Sequence, residues 1–360
     1  MANSNLTNAK KTKNDEFYTQ YSDIQKEINA YLEYDAEVFR GKTILLPCDD
    51  PEWSNFTRYF SQNFERLGLK KLISTSFAAN SKQYSSGYQP SPFETNNSQY
   101  DEKKSVMNGK IFTLTEDMTN DGKINIEDLQ WEYLKGDGDF RSDEIKALRD
   151  EADIIVTNPP FSLFREFVSW IIEANKKLLV LGNIHAIIYK EIFPFIKNDR
   201  LWLGPSITSG DRVFEVPKGI VDMSKFTGEI REEKYYQKVM GVRWFTNLDH
   251  GRRHQPLSLM TMEENLKFSK RKEIKGKSSY RRYDNYDAIE VPFTEAIPSD
   301  YEGVMGVPVS FLDKYNPDQF ELIGSNRGVG QDPNRVYGQG SFINSRETFK
   351  RIFIKHKRQK

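Results

Sequence analysis

Hydrophobic and polar positions along this chain follow two rhythms. Short runs that are apolar at most positions, bounded by charge, occur from Lys42 to Leu46, Asp153 to Thr157 and Lys177 to Asn183. Such runs read as strands buried on both faces of a parallel sheet. Elsewhere the apolar residues keep helical spacing: Ile24, Ile28, Tyr31 and Leu32; Phe56, Tyr59, Phe60 and Phe64; Leu163, Phe164, Phe167, Val168, Ile171 and Ile172. Each set forms one stripe of an amphipathic helix. Further helices are expected from about Ser142 to Arg149 and from Ile187 to Ile196, and closing strands from Leu201 to Gly204 and Val239 to Asn247. The alternation of strand and helix followed by a late hairpin predicts an α/β fold, a doubly wound sheet with an antiparallel edge.

Between these elements the texture varies. Residues 1–14 are polar and expected to be flexible. From Ala78 to about Asn108 the chain is rich in Ser, Asn, Tyr and Pro, which reads as an excursion from the sheet, continued to residue 132. The stretch from Asp117 to Asp128 overlaps a calcium-loop pattern, with Asp121 at its fifth position and Gly122 at its sixth. Thr119 stands where a ligand belongs and the last position is Asp rather than Glu, so a hairpin turning at Asp121 and Gly122 is the favoured reading and no metal is expected. The chain then divides into residues 15–249, carrying the sheet, and residues 250–360, where the texture turns basic.

The candidate chemistry sits where the Asp153 strand ends, at Asn158, Pro159, Pro160 and Phe161. Open α/β sheets bind ligands at the carboxyl ends of their strands. Each proline fixes its own φ and keeps the residue before it extended, so Asn158 and Pro159 form a stiff corner. The Asn158 side-chain oxygen and the Pro159 carbonyl can accept the two hydrogens of an exocyclic amino group, one each. Phe161 offers a flat apolar face to a ring. The corner suits a planar group bearing NH2, and it contains no nucleophile and no general base.

An Asn, Asp or Ser followed by two prolines and an aromatic resembles the signature of the S-adenosylmethionine-dependent amino-methyltransferases. Taken with Asp15 to Gln20, Cys48 to Pro51, Gly136 to Arg141, Thr157 to Glu166, Trp202 to Gly204, Trp244 to Asp249 and Gly303 to Pro308, the chain resembles the EcoRI-type adenine-specific DNA methyltransferases. That resemblance implies a Rossmann-like methyltransferase domain with a smaller C-terminal DNA-recognition region. It also implies methyl transfer from S-adenosylmethionine to N6 of an adenine flipped out of duplex DNA, in the setting of a restriction-modification system. It places Phe17, Tyr18 and Thr19 against the methionine end of the cofactor and makes Asp49 or Asp50 a cofactor contact. Asp139 would accept from the cofactor's adenine amine, with Asp137 as the fallback, and Phe140 would pack on that ring. Two departures stand out: Ser54 and Phe56 occupy positions where the family carries glycines, and the run Lys71 to Phe77, which resembles the family's second strand, lacks the acidic residue that would end it and hold a ribose. The same core could instead serve an RNA base or a protein glutamine, and a non-catalytic DNA-binding module is the third reading.

Charge sharpens the choice among acceptors. The whole chain is formally neutral, yet residues 251–360 hold 20 Lys and Arg against 14 Asp and Glu, which leaves the remainder equally acidic. Asymmetry of this kind marks a basic part that meets a polyanion. Lys267, Lys270, Arg271, Lys272, Lys275, Lys277, Arg281 and Arg282 form a candidate phosphate-binding track, interleaved with Phe268, Tyr280, Tyr283 and Tyr286, and a second basic cluster runs from Arg346 to Lys360. His250 and His254 are four apart without the Glu of a zinc motif, and read as solvated histidines in a basic turn. A length of 360 residues with 37% hydrophobic and 13% aromatic residues allows two domains. One cysteine, Cys48, excludes a disulfide framework or a multi-cysteine zinc site. With no run long enough to span a membrane, a bacterial cytoplasmic setting is expected. The enzyme is expected to work as a monomer on double-stranded DNA, with any nuclease partner sharing the site without binding.

Overall fold

The computed structural model describes residues 19–47, 49, 54–78, 95, 98–208, 211–216, 228–231, 234–327 and 338–357. Phe17, Tyr18 and Asp50 lie outside the described residues, as does nearly all of the excursion between 79 and 97. The chain forms two compact units, Met1–Asn183 with Ser209–Leu248, and Ile184–Thr208 with Asp249–Lys360. Among the described residues no helix is long and apolar enough to cross a membrane.

The first unit is built on a large mixed sheet. Its strands are β1 (Thr43–Leu46), β2 (Lys71–Ser76), β3 (Lys110–Leu114), β4 (Gln130–Tyr133), β5 (Ile154–Thr157) and β6 (Lys177–Asn183). Later come β7 (Arg212–Val216), β8 (Glu229–Arg231), β9 (Lys234–Val239) and β10 (Val242–Thr246). Within this unit the large sheet runs in the order β4-β3-β2-β1-β5-β6-β10, and β7, β9 and β8 make a separate antiparallel sheet. β2, β1, β5 and β6 are parallel neighbours, and all of β1 and β5 is buried, which is why those stretches carry no polar alternation. Antiparallel strands close both sides: β3 and β4 beyond β2, and β10 beside β6.

The sequence places the antiparallel edge only late, so β3 and β4 correct the expected excursion: part of 78–132 extends the sheet. Their loop spans 115–129 and is closed by its own carboxylates. Asp128 accepts from the amides of Met118 and Thr119 at 2.9 and 2.8 Å, and Asp117 from Gly122 at 2.8 Å. Gly122 takes φ +82°, which L side chains rarely adopt. Among the described residues no group of three or more His, Cys, Asp or Glu is placed to hold a metal ion.

Helices α1 (Tyr21–Tyr34), α2 (Asn55–Gln62), α3 (Asp143–Glu151) and α4 (Phe164–Glu173) follow the predicted stripes. Ser142 caps α3, accepting from Ile145 at 3.2 Å. α4 rests on β6 where Gly182 leaves room: a Cβ there would lie 2.3 Å from the Phe164 ring, which also packs on Phe245 of β10 at 4.9 Å.

In the second unit the expected helix from Ile187 to Ile196 is a 3-10 turn, Ile184–Ile188, followed by a short helix, Phe193–Lys197. Pro194 allows a helix to start there but not to run through it. Trp202–Leu203 is a two-residue strand of this unit. A second sheet orders β11 (Ala288–Glu290), β12 (Val304–Pro308), β14 (Arg351–His356) and β13 (Phe320–Ser325) side by side. Helix α5 (Met262–Phe268) opens on a capping box between Thr261 and Glu264.

Candidate active site at the carboxyl edge of the sheet

The strand order reverses direction between β1 and β5: β2 lies on one side of the pair and β6 on the other. This is the topological switch point at which open parallel sheets leave a crevice beyond their carboxyl ends. Asp49 follows β1 there and Asn158 follows β5. The two strand ends are tied directly, since the Thr157 hydroxyl donates to the Pro47 carbonyl at 3.0 Å.

Asn158 is half-buried, Pro159 buried, and Pro160 and Phe161 partly exposed. The Pro160 carbonyl accepts from the Leu163 amide at 2.9 Å and starts the turn Phe161–Leu163 that leads into α4. The Pro159 carbonyl takes no hydrogen bond among the described residues, so its lone pairs remain available. The Asn158 side chain and the Pro159 carbonyl are thus consecutive acceptors at the carboxyl end of β5.

Asp49 is buried and accepts from the Ser54 hydroxyl at 2.8 Å. Ser54 in turn caps α2, accepting from Phe56 and Thr57 at 3.1 and 3.4 Å. The serine standing in a glycine position therefore links the end of β1 to the start of α2. Thr19 joins the same place: its carbonyl accepts from Asn55 Nδ2 at 2.8 Å, while its buried hydroxyl has no hydrogen-bond partner among the described residues. Gln20 Nε2 is likewise buried without a partner among them. Buried polar atoms left open in this way are expected where a polar ligand completes the site.

β4 runs in the same direction as β2, so its carboxyl end reaches the same edge. The Ala78 amide donates to the Asp137 carbonyl at 2.8 Å, and Gly138, at φ +88°, approaches so closely that a Cβ would meet the Ser76 carbonyl at 2.5 Å. Asp139 follows, nearly buried, with its carboxylate accepting from the Arg141 amide at 2.9 Å and from Arg141 Nη1 at 3.2 Å. A carboxylate has lone pairs for further donors. Phe140 is buried against Phe167 and Trp170 of α4, at centroid distances of 5.2 and 5.4 Å, with the Arg141 guanidinium over its ring at 4.8 Å.

Arg141 was not among the sequence candidates, although it directly follows Asp139 and Phe140. It grips Glu166 of α4 through Nε and Nη2 at 2.6 and 2.9 Å. That contact holds the Glu166 carboxyl below its usual range and raises the guanidinium. One side chain thus joins the Asp139 turn to the helix that follows Asn158.

The eight basic residues from Lys267 to Arg282 are all exposed, in the second unit. Arg282 pairs with Asp287, and Arg271 lies over Phe293 at 4.5 Å. The interleaved tyrosines are not part of that surface. Tyr280, Tyr283 and Tyr286 are buried; Tyr280 donates to the Ala296 carbonyl at 2.7 Å, and the other two pack on Phe353. They anchor the basic segment to the second sheet, and only Phe268 stands out among the lysines. Arg351, within the terminal basic cluster, is buried against Glu290. His250 also departs from expectation: it is buried, bonded through Nε2 to the Leu203 carbonyl at 3.0 Å, and burial lowers its pKa to about 4. His254 contacts Asp249 at 2.9 Å.

Comparison with known proteins adds the following. The family model described as adenine-specific methyltransferase EcoRI matches residues 5–359. The chain is 41% identical to the type II methyltransferase M.EcoRI of Escherichia coli, over 98% of this chain and 96% of that protein. It is 36% identical to the type II methyltransferase M.MpnI of Mycoplasma pneumoniae, over 88% of this chain and 83% of that protein. It is 38% identical to M.MgeORF184P of Mycoplasma genitalium, over 88% and 84%. No solved structure matches the chain.

Proposed function

Because this chain belongs to the EcoRI family of adenine-specific methyltransferases, we propose that it methylates N6 of an adenine within a short site in duplex DNA, with the first unit as a Rossmann-like catalytic domain and the second reading the DNA. It is a DNA adenine methyltransferase of the restriction-modification type. S-adenosylmethionine is the donor we assign, and when bound it supplies an electrophilic methyl on sulfur. Thr19 and Asp49 would hold its methionine end and Asp139 its adenine amine. The open hydroxyl of Thr19 fits that role. Phe140, packed on α4, would then support Asp139 from beneath.

The observation that carries the reading is the acceptor corner at the switch point, with Asn158 and the open Pro159 carbonyl following the end of β5 that Thr157 ties to Pro47 at the end of β1. Two acceptors on the two amine hydrogens turn the nitrogen lone pair out of the ring and toward the methyl. This is catalysis by positioning, with no proton abstraction needed before attack. A paired adenine cannot reach the corner, so it must be extruded from the helix. Phe161 would receive it, with stacking of about 1–3 kcal/mol per base. The exposed basic residues of the second unit would neutralise backbone phosphates. A monomer carries both functions on one chain, and a nuclease sharing the site need not bind it.

The test is methyl transfer from tritiated S-adenosylmethionine to duplex DNA, RNA and protein offered separately, followed by digestion to nucleosides. Label in N6-methyladenine of the duplex alone is the expected outcome. Label on RNA or protein, or none at all, would overturn the reading.

A further inference from the structure

The second unit contains a cleft of about 300 Å³ that includes Arg252, Gln255, Ser258, Thr294, Glu295 and Lys314 in its lining. None of these belongs to the basic track from Lys267 to Arg282. Neighbouring arginines here have opposite fates. Arg253 is buried, stacked 3.9 Å over the Trp202 ring and paired with Asp199 and Asp249. Arg252 is half-buried and donates Nη1 to the Pro205 carbonyl at 3.0 Å, but it has no carboxylate within ion-pair distance among the described residues. A guanidinium carries five donors, and four of them are left for a ligand.

The cleft wall is fixed rather than loose. Leu257 is held on both backbone groups by the Gln319 side chain, which accepts from its amide at 2.8 Å and donates to its carbonyl at 3.0 Å. Lys314 and Glu295 face each other at 3.0 Å on the rim. A backbone N–H within its own residue and then Lys314 keep the Glu295 carboxyl below its usual range, so it stays charged. Arg271 of the basic track lies 4.5 Å over the ring of Phe293, directly before Thr294 and Glu295 of the lining, so the track runs up to this rim.

We propose that this cleft seats a backbone phosphate of the duplex, with Arg252 as its anchor and Lys314 as a second cation that Glu295 partly occupies. Arg, Lys, Ser, Thr and Gln are the side chains that bind phosphate oxygens in protein–DNA interfaces, and the cleft supplies one or more of each. A phosphate contact positions the duplex without reading its sequence. The seat rests on the proposed function, since it needs duplex DNA as the substrate.

The experiment is fluorescence anisotropy of labelled duplexes, with and without the target site, across a KCl series. Each lost phosphate contact should lower the slope of log K against log salt by about 0.9, which at 0.1 M salt is roughly an eight-fold loss of affinity. Arg252→Gln should show that loss in full and Lys314→Gln, already partly neutralised by Glu295, a part of it, each equally on both duplexes. Glu295→Gln should act in the opposite direction, tightening binding by the remaining part, so that its gain and the Lys314→Gln loss together amount to about eight-fold. A purely structural role for the cleft predicts no such gain. Wild-type slopes in both Arg252→Gln and Lys314→Gln, or weaker binding by Glu295→Gln, would overturn the seat while leaving methyl transfer intact. Absence of DNA methylation by the wild type would instead remove the function on which the seat depends.

Discussion

Arg141 holds two carboxylates from different elements, and that makes it the residue through which the Asp139 turn and α4 share one geometry. Its side chain is about a quarter exposed, so solvent screens part of the interaction. We expect Arg141→Gln to raise the dissociation constant for S-adenosylmethionine by about ten-fold, from the loss of one charge-assisted contact to Asp139. Arg141→Lys should recover part of that loss, which titration calorimetry would measure. An unchanged constant in both variants would release Arg141 from this role. The corner itself was legible in the sequence because prolines constrain their neighbours whatever surrounds them. Arg141 was not, because a lone arginine after an aspartate reads as solvated until its partner, 25 positions on, is brought alongside. His250 was misread for the same reason: nothing local says that a histidine beside Gly251 goes inward. Its folded pKa, about 4, lies below the unfolded value near 6.5. Between those values the unfolded chain takes up a proton that the folded chain refuses, so stability falls as pH drops from about 6.5 toward about 4. A melting series from pH 7 to pH 5 should show that fall in the wild type and a flatter profile in His250→Asn; identical profiles would contradict it.

Among the elements, the parallel strands and their helices were foreseen because full burial leaves a continuous apolar run, and a helix on a sheet leaves a stripe. The hairpin about Asp121 and Gly122 was foreseen, but not that its strands β3 and β4 extend the sheet beyond β2. Its strands carry Lys110, Thr113, Gln130 and Glu132, and a half-covered edge gives a weak signal. The second sheet was hidden for a different reason. Its basic segment interleaves charge with tyrosine, and only the fold separates the outward lysines from the inward rings. In that sheet Arg351 of β14 donates to Glu290 Oε1 of β11 from Nη2 at 2.5 Å and from Nε at 3.1 Å, and Tyr283 donates to the same carboxylate. Both ions are buried, at 6% and 4% exposure, so neither can be solvated if the other is removed. Arg351→Met should therefore cost about 3–5 kcal/mol in urea unfolding, since it strands the Glu290 charge. Replacing both, Arg351→Met with Glu290→Leu, should restore much of it. A cost under about 1 kcal/mol for the single change would mean that water reaches Glu290.

For the whole molecule, zero net charge conceals a division of labour. The acidic remainder contains the large sheet and its Asn158 corner, and the basic C-terminal third carries the excess of cations on which the proposed contact with DNA rests. Composition made that asymmetry visible; the assignment of residues 184–208 to the second unit was not visible, because chain order alone gives no sign of it. The central claim is that Asn158 and Pro159 grip an adenine amine by geometry. Single-turnover methyl transfer to duplex DNA, compared between the wild type and Asn158→Ala, tests it most directly. The account predicts a rate lower by at least about 100-fold, the scale on which misplaced reactants slow, with the dissociation constants for DNA and cofactor little changed. A rate in Asn158→Ala equal to that of the wild type would contradict it.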